Sequence, residues 1–344
     1  MIDVVVPCYR YGRYLRECVE SILTQDVDGL RVLIIDDASP DETPEVANAL
    51  AREDARVSVV RHSANRGIIA TLNEGVEWAS GKYMLIISAD DVLFPGALQR
   101  AIALMENHPD VGLTCGRALE VVGECPPDWR DRQVDDGYRI FSGAEFLDRS
   151  GVRNIVYAPT AVVRTALQKR VGGYRKELPH AADMEMWLRL AAYGPVGVIK
   201  AYQAVYRKHG ENFSLAYATR YGLPDLEQRA AAVTCFIEAC RHVLPNAERR
   251  RRAMLRLLSK EALGVAAAAF NDANYEMADE LYRFALRTCP SARWSIAGSK
   301  VALRRMLGPS GWRFIEPLVR RSRRARRKLE ALNPLNARGD VYRY

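Results

Sequence analysis

From the N-terminus, short β-branched runs alternate with segments in which apolar residues recur every three or four positions, the pattern of a largely parallel sheet flanked by helices. Ile2 to Val6 reads as the first strand, and Tyr14 to Gln25 then places Leu15, Cys18, Val19, Ile22 and Leu23 on one helical face. Val32 to Ile35 is an unbroken apolar run, which fits a strand covered on both faces. It ends in Asp36-Asp37 and a turn, and a helix follows from Thr43 to Arg52 with Pro44 in its first turn. Val57 to Arg61 is the third strand and Ile68 to Ala79 a helix. Lys82 to Ser88 is a fourth strand that again runs into acid, Asp90-Asp91. Pro95 to Asn107 continues as a helix, and Val111 to Val122 is strand-like with an interruption at Gly116.

Residues 123–142 are rich in Pro, Asp and Arg and read as a long surface loop of the kind that carries function. Helical and strand pieces resume through Gly143 to Tyr206, and from Leu223 the pattern is entirely helical. The chain therefore divides into an α/β domain over 1–222 and an all-helical domain over 223–344. Within the latter, Ala267, Phe270, Asn274-Tyr275, Ala278, Tyr282, Ala285-Leu286 and Pro290 follow the small-large pattern of one tetratricopeptide-like hairpin. A single such unit cannot form a solenoid and is expected to serve packing.

Composition narrows the class without naming a function. With 49% hydrophobic and 27% charged residues in 344, the chain has the balance of a globular protein, not of a disordered or fibrous one. Seven cysteines form no C-x-x-C pair and lack histidines at zinc spacing, so no structural zinc or disulfide framework is expected. The odd count, with no leader-like start, points to a reducing, cytoplasmic setting, and no apolar stretch of about 18 residues is present to span a membrane. The net charge of +8 is concentrated: between Arg293 and Lys328 there are twelve Lys/Arg and one acidic residue, Glu316. There, Trp312, Phe314, Ile315, Leu318 and Val319 precede Arg320, Arg321, Arg323, Arg324, Arg326, Arg327 and Lys328. A basic helix with an apolar stripe over 312–328 suits an anionic membrane surface, such as the inner face of the plasma membrane; the plainer alternative is a solvated face packed on the main domain. No nucleic-acid-binding motif accompanies the charge, and no nucleic-acid partner is expected.

In an open α/β sheet the ligand crevice lies beyond the carboxyl ends of the strands, and two strands deliver acid pairs there, Asp36-Asp37 and Asp90-Asp91. Crowded, partly buried carboxylates favour a site that receives a cation, and Mg²⁺ or Mn²⁺ carrying a diphosphate would satisfy them. Taken singly, each aspartate is equally natural as a turn or cap residue. Asp183 stands in His180-Ala181-Ala182-Asp183-Met184-Glu185-Met186-Trp187-Leu188-Arg189, at the start of a helix, as general base or as structural cap. Tyr206-Arg207-Lys208-His209-Gly210-Glu211-Asn212 follows a strand-like run and offers two cations and a histidine for oxyanion or metal contact, although a lone histidine is more commonly structural.

Taken in order, these segments resemble the family 2 inverting nucleotide-sugar glycosyltransferases of GT-A, Rossmann-like fold, over about residues 1–220. The resemblance rests on Val4-Val5-Val6-Pro7-Cys8-Tyr9, Ser21 to Gln25, Ile34 to Asp41, Asn65-Arg66-Gly67 with Asn73-Glu74-Gly75, Ser88 to Asp91, Val171-Gly172-Gly173-Tyr174, Asp183 to Arg189, and Tyr206 to His209. It implies that Pro7 and Tyr9 pack on the nucleotide base, that Asp37 hydrogen-bonds it, and that Arg66 lies near the nucleotide. Asp90 and Asp91 match the end of the family's D-x-D motif, with Asp90 on the ribose and both near a metal; Asp183 matches the catalytic base; Arg207 and His209 resemble the basic pair over the diphosphate, His209 also as a metal ligand. Two positions depart from the family pattern: Ser88 stands where the first Asp of D-x-D is common, and Arg10 where Asn is common after the tyrosine.

The resemblance implies transfer of a sugar, most naturally from a UDP-sugar with Mn²⁺ or Mg²⁺, to a hydroxyl of a glycan or lipid-linked glycan in polysaccharide or envelope synthesis. The competing reading is a catalytically silent GT-A scaffold, which intact metal and base positions disfavour. A nucleotidylyltransferase would carry a Gly-rich phosphate loop where this chain has Pro7-Cys8-Tyr9-Arg10-Tyr11-Gly12.

Overall fold

A computed structural model of the chain describes residues 1–126, 128–131, 137–212, 215, 217, 219–308 and 311–312. The chain forms two compact units, one of 1–215 with 235–245, the other of 216–234 with the chain from 246 onward. Nearly all of the basic segment 312–328 lies outside the described residues; only Trp312 is within them.

The first unit is built on a nine-stranded mixed sheet. Its strands are β1 (Ile2–Cys8), β2 (Leu30–Asp36), β3 (Val57–Arg61), β4 (Tyr83–Ile86), β5 (Val92–Leu93), β6 (Leu113–Val122), β7 (Tyr138–Phe141), β8 (Val162–Arg164) and β9 (Val196–Lys208). They lie in the order β3-β2-β1-β4-β8-β6-β9-β5, with β7 also on β9. The β3-β2-β1-β4 half is parallel, and so is β6 with β9, while β8, β5 and β7 pair antiparallel. Parallel neighbours require crossovers, which α1 (Gly12–Leu23), α2 (Thr43–Glu53) and α3 (Ile68–Trp78) supply.

The two faces of β1 are read by alternate residues. Val4 and Val6 join Leu15, Val19 and Ile22 of α1 and Leu50 of α2 in the main core, together with Leu98 and Leu104 of α4 (Ala97–Asn107). Val5 points the other way, into a smaller cluster with Leu33, Ile35 and Trp78. There α3 comes so close that a Cβ on Gly75 would lie 2.5 Å from Val5 Cγ1. A glycine inside a helix is unfavourable by itself, so at this position the close approach accounts for it.

Several expected elements change at their ends. The fourth strand stops at Ile86, although the Ile87 N–H still donates to the Val5 carbonyl of β1 at 3.0 Å, and 88–91 turn away before β5 returns the chain to β9. The expected strand across Gly116 exists as β6 but shifts register between Gly116 and Ala118, because β9 carries extra residues there: Gly116 pairs with Ile199, Arg117 with Tyr202 and Ala118 with Ala204. The expected loop 123–142 contains more structure than its composition suggests: a 3-10 turn at Trp129–Asp131, whose buried indole meets Phe94 edge-on at 4.9 Å, and strand β7. Four residues are too few for periodicity to reveal, and β9 is the partner that makes β7 a strand.

Beyond the sheet, α5 (Gly143–Ser150), α6 (Thr165–Val171) and α7 (Ala182–Ala191) complete the first unit. The chain then becomes helical with α8 (Leu223–Cys240), α9 (Ala247–Asn271), α10 (Tyr275–Thr288) and a helix over 296–308. In the second unit α9 and α10 pack through Leu258, Ala262, Leu281 and Ala285, and the buried Ser259 hydroxyl donates to the Ala285 carbonyl at 2.8 Å. Asn274 caps α10 by accepting from the Met277 N–H.

Candidate active site

The carboxyl ends of β1 and β2 open the site. Asp36, fully buried, accepts the Ser39 N–H at 2.9 Å and so shapes the turn after β2; its second oxygen lies 3.2 Å from Arg61 Nε without hydrogen-bond alignment. Asp37 holds the loop that precedes α3. It accepts the Arg66 N–H at 2.7 Å and the Gly67 N–H at 2.9 Å, and meets His62 Nδ1 at 2.6 Å. The opposite ring nitrogen of His62 lies 2.9 Å from Glu74, which also binds the Arg66 guanidinium at 2.8 Å. Burial alone would lower the His62 pKa; the hydrogen bonds to Asp37 and Glu74 outweigh it and hold the imidazole above its usual range.

After β1 the backbone turns sharply, with Arg10 at φ +63° and its N–H donated to Ser39 Oγ at 3.1 Å. The left-handed conformation is one that Asn tolerates better than Arg, which gives a physical reason for the family's usual residue at this point. Tyr9, 42% exposed beside it, presents its ring to the cavity.

Asp90 and Asp91 sit in the turn between β4 and β5, closed by Asp91 N–H to Ser88 O at 3.0 Å. The end of β9 holds this turn from beneath. Arg207 donates its backbone N–H to Asp91 Oδ1 at 3.0 Å and its Nε to the Asp90 carbonyl at 2.8 Å; the same guanidinium reaches Glu17 on α1 at 2.7 Å and lies over the Tyr14 ring. Asp90 Oδ2 faces His209 Nε2 at 3.0 Å and accepts Asn212 Nδ2 at 3.0 Å, while Asp90 Oδ1 is buried with no hydrogen-bond partner among the described residues. His209 is fixed between the rings of Tyr11 and Tyr14, with centroids at 5.3 and 5.1 Å. Burial first, and then the Asp90 charge, drives the Asp91 carboxyl well above its usual range.

A buried, unpartnered carboxylate oxygen beside a second buried carboxyl is a donor set suited to a hard divalent cation. Among the described residues no three acidic, histidine or cysteine side chains converge on one metal position. A cation here would have to complete its shell from outside the protein, as Mg²⁺-type sites commonly do with substrate phosphates and water.

Asp183 occupies the first turn of α7, half-buried. Desolvation by the surrounding atoms pushes its carboxyl up to about 6, opposed only by the nearby His180. Glu185 and Arg189, from the same motif, point elsewhere. Fully buried and paired at 2.6 Å, they clamp the chain after α6, with Arg189 donating to the carbonyls of Val171 and Gly173 at 2.5 and 2.9 Å. Asn73 of α3 binds the same segment through both the N–H and the carbonyl of Tyr174. The separated motifs Asn73-Glu74-Gly75, Gly172-Gly173-Tyr174 and Asp183 to Arg189 are thus one mechanical unit that seats α7.

One cavity of about 690 Å³ joins these parts. Its wall includes Pro7, Tyr9, Asp37, Asp90, Asp91 and Asp183. Three expected site residues are not on that wall: Arg66 turns to Glu74, Arg207 is locked beneath the acidic turn, and His209 contacts Asp90 from behind. Residues not singled out beforehand also enter. Glu17 and Asn212 fix the acidic turn, and Trp187, one helical turn from Asp183, lines the cavity with its buried indole N–H unpartnered. Asn212 was visible in the Tyr206 to Asn212 segment, but nothing in the sequence links Glu17 to position 207.

The fold has solved counterparts. Staphylococcus aureus TarS 1–349, crystallised with UDP-GlcNAc, superposes with a TM-score of 0.56 at 17% identity, covering 82% of this chain and 91% of that one. The mannosyltransferase PcManGT of Pyrobaculum calidifontis, in complex with GDP-Man and Mn²⁺, gives 0.51 at 19% identity over 89% and 86% of the two chains. In sequence, an uncharacterized glycosyltransferase of Haemophilus influenzae is 24% identical over 221 residues, 63% of this chain and 68% of the relative. Four other curated bacterial glycosyltransferases match over only 31% to 37% of their own length. Residues 3–170, just under half of the chain, match the family model for glycosyl transferase family 2.

Proposed function

We propose that the chain is an inverting glycosyltransferase that moves a sugar from a nucleoside-diphosphate donor, UDP first among the candidates, to a hydroxyl of a glycan or lipid-linked glycan. The observation that carries the reading is the single cavity lined both by the acidic turn Asp90-Asp91, with its orphaned oxygen, and by Asp183, whose carboxyl titrates at about 6. The UDP-GlcNAc in the TarS structure supports the choice of UDP; the GDP-Man of PcManGT keeps GDP as its competitor.

In this mechanism the exposed ring of Tyr9 and the rim at Pro7 receive the base, while Asp37 holds the loop 62–67 that borders it. Asp183 takes the proton of the acceptor hydroxyl as that oxygen bonds to C1 of the sugar. The bond from C1 to the diphosphate oxygen breaks, and its electron pair leaves with the nucleotide. A base titrating near 6 is mostly ionised at neutral pH yet still a useful proton acceptor. Mn²⁺ or Mg²⁺ would be held by Asp90 Oδ1 and Asp91, and when bound supplies positive charge to the departing diphosphate. Arg207, His209 and Asn212 serve as positioning residues that keep the two carboxylates in place.

Calorimetric titration of UDP with and without Mn²⁺, on the wild type and on Asp91→Ala, tests the donor side. Binding that needs the metal and disappears in the variant is the expected result. Absence of UDP binding in both conditions, followed by tight GDP binding, would reassign the nucleotide; absence of all nucleotide binding would leave only the fold.

A further inference from the structure

The helical second unit carries a feature that sugar transfer does not use. Twelve large hydrophobic side chains are exposed among the described residues, and four of them fall between 294 and 306: Trp294 at 80%, Ile296 at 71%, Leu303 at 45% and Met306 at 84%. On the helix over 296–308, Ile296, Leu303 and Met306 follow one another at spacings of seven and three, which puts them on one stripe. The opposite face is the one that packs, through Gly298, Val301 and Arg304. Arg304 donates to the Ala267 carbonyl at 3.2 Å and lies over the Trp312 ring, so the rotation of the helix is fixed and the apolar stripe is held outward.

Charge decides what the stripe suits. From Leu281 to Ile315 the sequence holds seven Lys/Arg and no carboxylate. Lys300 lies within the exposed face and Arg293 adjoins Trp294, both exposed, and the sequence beyond continues strongly basic through Lys328. An apolar stripe flanked by Arg293 and Lys300, with an indole at its entry and with the neighbouring acid Asp279 of α10 taken up by Arg283 and Arg305, has the chemistry of a helix that lies in the headgroup layer of an anionic membrane. No helix among the described residues is long and apolar enough to cross one.

We propose that Trp294, Ile296, Leu303 and Met306 form a monotopic docking face for an anionic lipid bilayer, with Arg293 and Lys300 reaching the headgroups. The face acts in addition to any attraction exerted by residues 313–328. It does not rest on the transferase reading, since vesicle binding is measured without nucleotide or acceptor.

The test is co-sedimentation of the full chain with vesicles of phosphatidylcholine alone and of phosphatidylcholine mixed with phosphatidylglycerol. The wild type is expected to bind the anionic vesicles and not the neutral ones. I296E/M306E is expected to weaken that binding at least about tenfold, because two apolar contacts are replaced by like-charged repulsion. Arg293→Gln and Lys300→Gln are each expected to weaken it about fivefold. Val122→Glu, which changes an equally exposed apolar side chain in the other unit, is expected to change nothing. Circular dichroism of each variant checks that it is folded. Wild-type binding that survives I296E/M306E in full would assign membrane attraction to 313–328 alone and overturn the proposal. So would a wild type indifferent to anionic lipid, or one whose self-association is abolished by the same substitutions, which would make the stripe an interface between copies.

Discussion

Asp183→Asn separates two consequences of one desolvated carboxyl. Its titration moves from the ordinary 3.8 to about 6, roughly two units, and each unit is worth about 1.36 kcal/mol of difference between protonation states. The folded pKa lies above the unfolded one, so the folded chain holds the proton more tightly. Stability is unaffected below 3.8, declines as pH rises through the window from 3.8 to 6, and is lower by about 3 kcal/mol above it. Part of that is screened, because the carboxyl lies at a cavity wall, so about 3 kcal/mol is an upper bound. Asparagine cannot ionise and escapes the penalty. The variant should therefore gain stability relative to the wild type as pH increases, by up to about 1 kcal/mol between pH 5 and pH 8, while losing about 10²- to 10⁴-fold in transfer rate. Urea denaturation of both proteins across that range reads the first, and transfer from a UDP-sugar reads the second. Parallel stability curves for the two proteins would refute the desolvation argument. A variant that keeps its transfer rate would refute the assignment of the base.

Three further substitutions probe the support of the site. Arg207→Met should destabilise by about 2 to 4 kcal/mol and abolish metal-dependent UDP binding, since it leaves Glu17 and the Asp90 carbonyl without their donor; unchanged denaturation with lost binding would instead put the guanidinium on the ligand. His62→Gln should cost stability at pH 6 and much less at pH 9, because a histidine with a raised pKa contributes below 6.5 and loses that contribution as pH climbs through its folded value. An equal loss at both values would mean that the ring acts while neutral. Arg10→Asn, at φ +63°, should raise stability by up to about 1 kcal/mol, read as a shifted denaturation midpoint at constant slope; no shift would indicate that the arginine side chain offsets its own backbone strain.

Much of the sheet was legible because its strands are short apolar runs closed by acids. Asp36 closes β2 and Asp37 follows it, Asp90 and Asp91 lie in the turn beyond β4, and the residue pattern alone leads to one crevice. The strand ends themselves were less legible. Whether 87 and 88 belong to β4 depends on where β5 rejoins β9, a pairing between residues more than a hundred positions apart. The same distance hid the role of Arg207. A basic residue after a strand suggests an anion site, yet its head is taken by Glu17 and by a carbonyl, partners that only the tertiary fold supplies. Arg66 joins the site region in a way its residue type does not signal: its backbone N–H, which every residue type except proline provides, is the part that meets Asp37, while its side chain reaches Glu74. Trp187 was visible only as a letter of the His180 to Arg189 motif, and its buried indole N–H at the cavity wall could not be foreseen without the fold.

The carboxylates of the cavity differ in what the fold has left them, and that difference is the strongest argument for dividing the chemistry among them. Asp37 has its oxygens engaged by two backbone N–H groups and a histidine, which suits a fixed acceptor in a loop that must not move. Among the described residues Asp90 has one oxygen engaged and the other bare, and Asp91 is disfavoured as an anion by its burial first and then by the charge beside it; a cation would relieve both conditions at once. Asp183 is raised by desolvation, opposed by the charge of His180, with no hydrogen-bond donor on it among the described residues, and desolvation is what makes a carboxyl proton-seeking near neutral pH. Side chains of one chemical type are thus set apart by their surroundings, which come from the His62 to Gly67 loop for Asp37 and from β9, the residues that follow it and α1 for the acidic turn. A chain that kept every aspartate but lost Glu17, Arg207, Asn212 or Arg189 would retain the motifs and lose the environments that give them their chemistry.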